Sequence, residues 1–121
     1  MAKYMLLIYG DEQRWETMSA AESAEIDAGH VAFVKRAGVR ILAAGQLEPS
    51  STATTLRGAS ASAGDEPAVT DGPFLETKEV LGGFYLLEAT DLDEVVALSR
   101  ELAEVRHAHS GVEIKPLVHH G

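Results

Sequence analysis

The sequence predicts an α+β fold in which two helices cover one face of a sheet. Three observations predict it. Strand-like and helix-like segments follow in the order β-α-β-β-α-β once one short hairpin is set aside, which is the split βαβ pattern. Two of the strands are almost continuously apolar, as central strands are. The last strand contains Pro116, which cannot donate to a ladder and therefore belongs at a sheet edge.

The first half of the chain supplies a strand, a helix and a second strand. Residues 3–9, KYMLLIY, are apolar on both alternating faces, as in a strand that is buried on two sides. Ser19 and Glu22 have the spacing of a capping box, which predicts a helix that starts there and stops near Gly38. Residues 40–47, RILAAGQL, form the second predicted strand.

The second half supplies a hairpin, a strand, a helix and a final strand. Residues 52–57 and 67–70 are the two arms of the hairpin, and the small-residue stretch GASASAGDE between them is expected to be mobile. Residues 81–87, LGGFYLL, form the next strand. An Asp N-cap opens a helix over 91–104, and the strand 111–117 alternates apolar and polar residues.

Together these elements predict a ferredoxin-like α+β fold, a split β-α-β with an inserted β-hairpin, in one domain over residues 1–121. Helices on one face leave the other face of the sheet bare, and an exposed apolar face of that size marks an interface. Homodimerisation, sheet face against sheet face, would cover it.

Composition narrows the class of function. The chain is 45% hydrophobic and 24% charged, as globular proteins are. Nineteen acidic residues against ten Lys and Arg give a net charge of −9, which disfavours direct nucleic-acid binding. The lack of cysteine excludes disulfides, thiolate nucleophiles and Cys-ligated metals. The short apolar N-terminus matches neither a membrane span nor a secretory signal, so we expect a cytoplasmic protein with no membrane association.

A histidine lies on the apolar face of the first predicted helix. Ile26, His30, Phe33, Val34 and Ala37 form one stripe at helical spacing. A buried imidazole must find a partner or face a cavity. One interpretation is a core histidine bonded to a backbone carbonyl. The other interpretation is a general acid/base, because an imidazole titrates near neutral pH. This second interpretation requires a carboxylate close to His30 in space.

Two carboxylates are candidates for that partner. Asp11 follows the first strand, and Asp71 opens the Asp-Gly-Pro-Phe turn of residues 71–74. Asp27 is one turn before His30 and could also reach it, although an exposed local pair contributes little. Asp-Gly-Pro is good turn chemistry by itself, so a purely structural role for Asp71 is the alternative.

Three further residues near this turn are candidates for ligand binding. Lys78 and Arg57 are the cations best placed in the sequence to hold a ligand carboxylate. Phe74 is not required by the turn chemistry, and we expect it at the mouth of a cleft. A solvated, salt-paired turn is the simpler interpretation of the charged residues that follow it.

The sequence gives no sign of a cofactor or of a required metal. It contains no G-x-G-x-x-G motif opening a helix and no phosphate loop. His107 and His109 share a face only in an extended segment, and residues 119–120 belong to a tail that is expected to fray, where metal binding would be adventitious. Gly82 and Gly83 are expected to permit close backbone approach within the sheet.

The central segment TDGPFLETKEVLGGFYLLE resembles the signature segment of the DGPF branch of the YCII-related family. The similarity extends to KYMLLIYGDE, to FVKRAGVRILAAGQL after His30, to TATTLR and to VEIKP. This resemblance implies a ferredoxin-like domain of the dimeric α+β barrel type, with a His and an Asp proposed as an enzymatic centre. The His corresponds to His30. The region RHAHSGVE lacks the Asp-Pro of some members, so Asp71 or Asp11 would take the acidic role.

Two functions follow from these observations. The first is a metal-independent isomerase, lyase or hydrolase of a small organic acid or lactone, with His30 as base and Asp71 or Asp11 orienting it. The second is a non-catalytic ligand-binding or regulatory module linked to transcription initiation, because the DGPF branch includes domains joined to sigma-factor regions. A carboxylate beside His30 in an open cavity would favour the enzyme, and a ring sealed by Phe33 and Phe74 would favour the module.

Overall fold

The computed structural model describes residues 1–58, 66–75 and 77–120. Residues 59–65, within the hairpin stretch that the sequence analysis expects to be mobile, lie outside the described residues. The chain divides into two compact units, a larger one of Met1–Leu47 with Lys78–Gly121 and a smaller one of Glu48–Thr77. A single domain over the whole chain stays a prediction.

The strands, in chain order, are β1 (Ala2–Asp11), β2 (Ile41–Gln46), β3 (Thr54–Arg57), β4 (Ala68–Asp71), β5 (Glu79–Ala89) and β6 (Ser110–Pro116). The helices are α1 (Glu12–Glu16), α2 (Ala20–Ala37) and α3 (Leu92–Ser99). Short 3₁₀ turns occupy Gly38–Arg40, Ser50–Thr52 and Ala103–Arg106.

The sheet of the larger unit has the ferredoxin-like order that the sequence predicts. Its strands run β2-β5-β1-β6, and every neighbouring pair is antiparallel. The two apolar strands, β1 and β5, are therefore central, and β6 is at an edge with Pro116 opposite Tyr4. Both predictions are confirmed.

The smaller unit contains the predicted inserted hairpin. Strands β3 and β4 pair antiparallel as a two-stranded sheet, with Thr54 opposite Asp71. Gly72 follows at φ 108°, a left-handed conformation that glycine adopts without steric cost, and this confirms the turn chemistry expected of Asp-Gly-Pro. The hydroxyl of Thr55 donates to the carbonyl of Gly72 at 2.7 Å and fastens the turn to the hairpin.

The core lies between one face of the sheet and helices α2 and α3. It consists of alternate residues of the central strands, inward residues of the helices and one residue after α3, namely Tyr4, Leu6, Ile8, Tyr85, Leu87, Ala89, Phe33, Ala37, Val95, Leu98 and Leu102. The intervening strand residues, such as Met5, Leu7 and Leu86, are half-buried. The sheet therefore buries its helix-covered face more deeply, whereas the sequence predicts burial of β1 on both faces.

Helix α2 begins and ends where the sequence predicts. The hydroxyl of Ser19 accepts from the backbone N–H of Glu22 at 3.1 Å, and Gly38 ends the helix at φ 54°. On its inward face Gly29, Phe33 and Ala37 are buried. None of the helices among the described residues combines the length and apolar character that a membrane span would need.

Helix α3 is shorter than predicted, because it ends at Ser99 and not at residue 104. The Ser99 hydroxyl donates back to the carbonyl of Val95 at 2.7 Å, a bond that weakens helix continuation. The N–H of Leu102 then bonds the carbonyl three residues earlier, and its backbone turns extended, with φ −72° and ψ 123°. As a consequence, Glu104 lies in a 3₁₀ turn and not on a helix.

Candidate active site

His30 meets a carboxylate in the larger unit, and that carboxylate belongs to Glu104. The His30 Nε2 atom is 2.6 Å from Glu104 Oε2, and its Nδ1 atom is 2.7 Å from the hydroxyl of Tyr85. The rings of His30 and Tyr85 also stack, with centroids 5.8 Å apart. Both ring nitrogens are therefore engaged by side chains 55 and 74 residues away in the sequence.

Glu104 reaches His30 because helix α2 has a glycine where the 3₁₀ turn crosses it. A Cβ atom on Gly29 would lie 2.8 Å from the backbone nitrogen of Ala103 and 2.9 Å from the carbonyl oxygen of Glu101. Only a residue without a side chain allows the two backbones to come so close. Gly29 is one residue before His30, so this contact sets the carboxylate beside the imidazole.

The Glu104 carboxylate is buried but only half satisfied. Its side chain is 6% exposed, and Oε2 bonds His30. Its other oxygen, Oε1, has no hydrogen-bond partner among the described residues. This oxygen has almost no accessible surface, and an unpartnered buried acceptor is costly to the fold, so stability alone does not account for the carboxylate.

Tyr85 holds its proton firmly. Burial raises the pKa of its phenol above 10.0, and the negative charge of Glu104 raises it further. A carboxylate can only accept, so the His30 proton is assigned to Nε2, and Nδ1 then accepts from the phenol. The three groups form one hydrogen-bonded chain from carboxylate to imidazole to phenol.

This chain lines a cleft of about 720 Å³ in the larger unit. Part of the wall is apolar and includes Ile8, Trp15 and Ile26, while Asp27 and Gln46 add polar groups. None of the described residues that line the cleft is Lys or Arg.

Trp15 forms one wall of the cleft, and its indole ring packs directly against glycines of the two central strands. A Cβ atom on Gly10 or Gly82 would lie 2.3 or 2.5 Å from its indole ring, and the indole N–H donates to Ser110 Oγ at 2.8 Å. At Gly83 a Cβ atom would lie 3.1 Å from a backbone carbonyl oxygen of β2. Close backbone approach is thus confirmed at Gly83, whereas Gly82 makes room for a side chain.

The structure gives the two predicted aspartates other surroundings. Asp11 caps helix α1, where its Oδ1 atom accepts from the backbone N–H groups of Gln13 at 3.1 Å and Arg14 at 3.4 Å. Aspartate is a favoured N-cap residue, which explains this placement. Asp71 is exposed at the end of β4 in the smaller unit. Their catalytic roles stay predictions, and the hydrogen-bond partner of His30 is neither of them.

Two of the three predicted ligand-binding residues contact each other in the smaller unit. The Arg57 guanidinium lies 4.0 Å from the centroid of the Phe74 ring and donates to the Phe74 carbonyl at 2.8 Å. Lys78 belongs to the larger unit, is exposed, and is not among the residues that line the cleft. Ligand binding by these residues stays a prediction.

Sequence reasoning missed Tyr85, Glu104 and Gly29. Tyr85 could have been found from the sequence, because it shares the inward face of a central strand with Leu87, and a buried tyrosine hydroxyl requires a hydrogen-bond partner. Glu104 had none, because the expected helix over 91–104 hid its direction.

The strand order and the helices define a ferredoxin-like α+β protein, with the hydrogen-bonded chain of Glu104, His30 and Tyr85 between a helix and the sheet. The family model of the YCII-related domain matches residues 2–118, and the chain belongs to that family. An uncharacterized protein of Rhizobium meliloti (strain 1021) is 37% identical over 107 residues, which cover 88% of this chain and 75% of the relative. Membership of the DGPF branch stays a prediction.

Among solved structures, the chain shows a partial resemblance to 5-chloro-2-hydroxyhydroquinone dehydrochlorinase from Burkholderia phenoliruptrix AC1100, in complex with 2,5-dihydroxybenzoquinone. It is 18% identical, the match covers 96% of this chain and 95% of that one, and the TM-score is 0.45. At this level of similarity no property of that enzyme is transferred to this chain.

Proposed function

We propose that the protein is a small-molecule enzyme that moves a proton on its substrate, with His30 as the central base. The observation that carries this proposal is the hydrogen-bonded chain from Glu104 through His30 to Tyr85 along the wall of a cleft. Proton-transfer catalysis needs an acid/base group, a base hydrogen-bonded to it and a carboxylate that orients the base. Tyr85, His30 and Glu104 are bonded in this order.

In the proposed step Tyr85 is the group next to the substrate. Its oxygen takes a proton from a carbon or hydroxyl of the substrate while its own proton passes to His30 Nδ1. The imidazolium that forms keeps its Nε2 proton, and the Glu104 carboxylate 2.6 Å away balances its charge. The reverse sequence returns the proton to another substrate atom, so protons and charge balance over the cycle.

The cleft favours a neutral substrate. Glu104 and Asp27 are acidic, and the described lining has no Lys or Arg to hold an anion. A carboxylate substrate would need a cation, such as the predicted Arg57 or Lys78, whereas a lactone, a ketone or a hydroxylated ring would not. Of the two substrates expected from the sequence, the lactone fits this lining better than the organic acid.

We also propose a cytoplasmic homodimer that forms through the half-buried sheet face. Leu7 alternates with the core residues of β1 and therefore lies on the opposite face of the sheet, and Met5 pairs with Leu86 of β5 on that same face. These neighbours make a contiguous apolar surface, which a second copy would cover. A Leu7→Lys variant is expected to run as a monomer in analytical ultracentrifugation, and an unchanged sedimentation coefficient would contradict this interface.

Proton exchange tests the enzymatic proposal before the complete reaction is known. The purified chain is incubated in D₂O with a pool of small neutral ketones, lactones and hydroxylated aromatic compounds, and mass spectrometry records deuterium at carbon. We expect exchange into at least one compound, reduced about 100-fold or more in Tyr85→Phe and in His30→Gln. Glu101→Gln, which alters an exposed ion pair with Arg36, is the matched control and should exchange at the normal rate.

Two outcomes would contradict the proposal. Exchange that persists in Tyr85→Phe and His30→Gln would remove both residues from the chemistry. A compound that raises the melting temperature of the chain without any exchange, in a manner that depends on His30, would favour the non-catalytic ligand-binding module instead.

A further inference from the structure

A second cluster of titratable side chains lies outside the proposed proton chain. Glu22 of α2 and the two histidines before β6, His107 and His109, bring one ligand atom each to within 4.8 Å of one another. Glu22 Oε1 is 2.6 Å from His109 Nε2 and 3.9 Å from His107 Nδ1. From the sequence we expect no required metal, because this histidine spacing shares a face only in an extended segment.

The two histidines come together in a turn and not in an extended segment, because the N–H of Ser110 donates to the carbonyl of His107 at 3.1 Å. The backbone of His107 itself is extended, with φ −110° and ψ 131°. The two imidazole rings lie side by side, with centroids 5.2 Å apart and an angle of 13° between the ring planes. His107 Nδ1 and His109 Nε2 both face the carboxylate of Glu22, which belongs to the first turn of α2.

One of the two histidines is oriented by a hydrogen bond on the ring nitrogen that faces away from the cluster, since His109 Nδ1 is 2.7 Å from Ser110 Oγ. His107 Nε2 is buried with no hydrogen-bond partner among the described residues, and Glu25 Oε1 lies 3.5 Å from it. Protein metal sites orient their histidines in this way, with a carboxylate or hydroxyl on the nitrogen that does not bind the ion. The His109 side chain is 10% exposed, so one ligand is held firmly in place.

We propose that Glu22, His107 and His109 bind a divalent transition-metal ion of the zinc type. Ligand atoms at the usual zinc distances are about 3.3 Å apart in a tetrahedral site. Glu22 and His109 must therefore separate by less than 1 Å from their 2.6 Å contact, and Glu22 and His107 must close by a similar amount from 3.9 Å. Two imidazoles and one carboxylate suit Zn²⁺ and leave a position for water, whereas Mg²⁺ and Ca²⁺ prefer oxygen ligands.

The ion would join helix α2 to the segment that leads into β6. Ser110, the partner of His109, also accepts from Trp15, which forms a wall of the cleft. Occupancy of the metal site would thus fix one wall of the cleft through Ser110 without contact with His30. The proposal is independent of the proposed function, since it depends only on these side chains.

Zinc titration of the full chain tests this proposal. The background is a chain with His119→Ala and His120→Ala, because residues 119–120 can bind metal by themselves. Calorimetry should show one Zn²⁺ per chain and no binding of Mg²⁺, and Co²⁺ should give the visible absorption of a tetrahedral complex. Ser110→Ala, which keeps all three ligands and removes the hydrogen-bond partner of His109 Nδ1, should weaken binding about 10- to 100-fold. Glu22→Gln and His107→Ala should weaken it further.

Controls separate loss of the site from loss of the fold. Circular dichroism establishes that each variant is folded, and Glu101→Gln should bind Zn²⁺ with normal affinity. Retained one-to-one binding in Glu22→Gln and His107→Ala would overturn the proposal. So would zinc binding that is present in the natural chain and absent from the His119→Ala, His120→Ala background.

Discussion

The conversion of Glu104 to glutamine should separate stability from activity. In most buried ion pairs the removal of one partner destabilises the fold, because the other charge is left unpaired. Here the carboxylate is 6% exposed and only one of its oxygens has a described partner. We expect Glu104→Gln to fold normally and to lose proton-transfer activity.

The expected change in unfolding free energy follows from the two oxygens of Glu104. The bond from His30 Nε2 to Oε2 is charge-assisted and contributes about 1.5–3 kcal/mol, and a neutral amide oxygen in its place keeps about 1 kcal/mol. Against this loss, the variant no longer buries a charge, whose penalty is several kcal/mol. The weaker bond costs about 0.5–2 kcal/mol and the removed burial penalty offsets it, so we expect a destabilisation of no more than about 2 kcal/mol.

The activity should fall far more than the stability. Without the carboxylate charge, the imidazolium formed at His30 has no counter-charge 2.6 Å away. Loss of an orienting carboxylate of this kind lowers turnover about 10²- to 10⁴-fold. Urea unfolding measures the first quantity, and deuterium exchange with the compound identified for the natural chain measures the second.

The matched control is Glu101→Gln, which removes a carboxylate that is 36% exposed and paired with Arg36. It should change stability by less than about 0.5 kcal/mol and leave exchange unaltered. Destabilisation of Glu104→Gln by more than about 3 kcal/mol would contradict a role in proton transfer, because it would show that Glu104 mainly stabilises the fold.

Three further perturbations test other contacts. Gly29→Ala places a Cβ atom 2.8 Å from the backbone nitrogen of Ala103, so we expect it to lower the free energy of unfolding by about 1–3 kcal/mol in urea, and unchanged stability would contradict the close approach. Burial raises the pKa of Tyr85 above 10.0, so the protonated phenol contributes its full stability below pH 10, and this contribution is lost as the pH rises through the folded pKa. Tyr85→Phe should therefore lose less free energy of unfolding than the natural chain between pH 9 and 11. Equal losses in the two proteins would contradict this. Gly82→Ala places a Cβ atom 2.5 Å from the Trp15 ring and should shift its fluorescence, whereas an unshifted spectrum would place the ring elsewhere.

The fold was predictable because its signals are local. Continuous apolar runs identify the central strands β1 and β5, and Pro116 identifies the edge strand β6, so the strand order follows from the split βαβ pattern. The Ser19 cap and Gly38 likewise set the bounds of α2. These features depend on neighbours within a few residues, which sequence patterns record directly.

The site was predictable only in part because its contacts are distant in sequence. The apolar stripe places His30 on the inward side of α2, as the structure has it. Its partner depends on the end of α3 at Ser99 and on the contact of Gly29 with the following turn. A helix continued to residue 104 would send Glu104 in another direction. Asp11, the expected alternative, is held by a local cap that competes with any distant role.

The most direct test of the account is the protonation of the His30 ring in solution. Long-range ¹⁵N–¹H NMR spectra at neutral pH, with the signal identified by its loss in His30→Gln, distinguish a protonated Nε2 from a protonated Nδ1. We expect a proton on Nε2, an unprotonated Nδ1, and a change in the signal in both Tyr85→Phe and Glu104→Gln. A His30 signal that neither substitution alters would contradict the hydrogen-bonded chain on which the proposed chemistry depends.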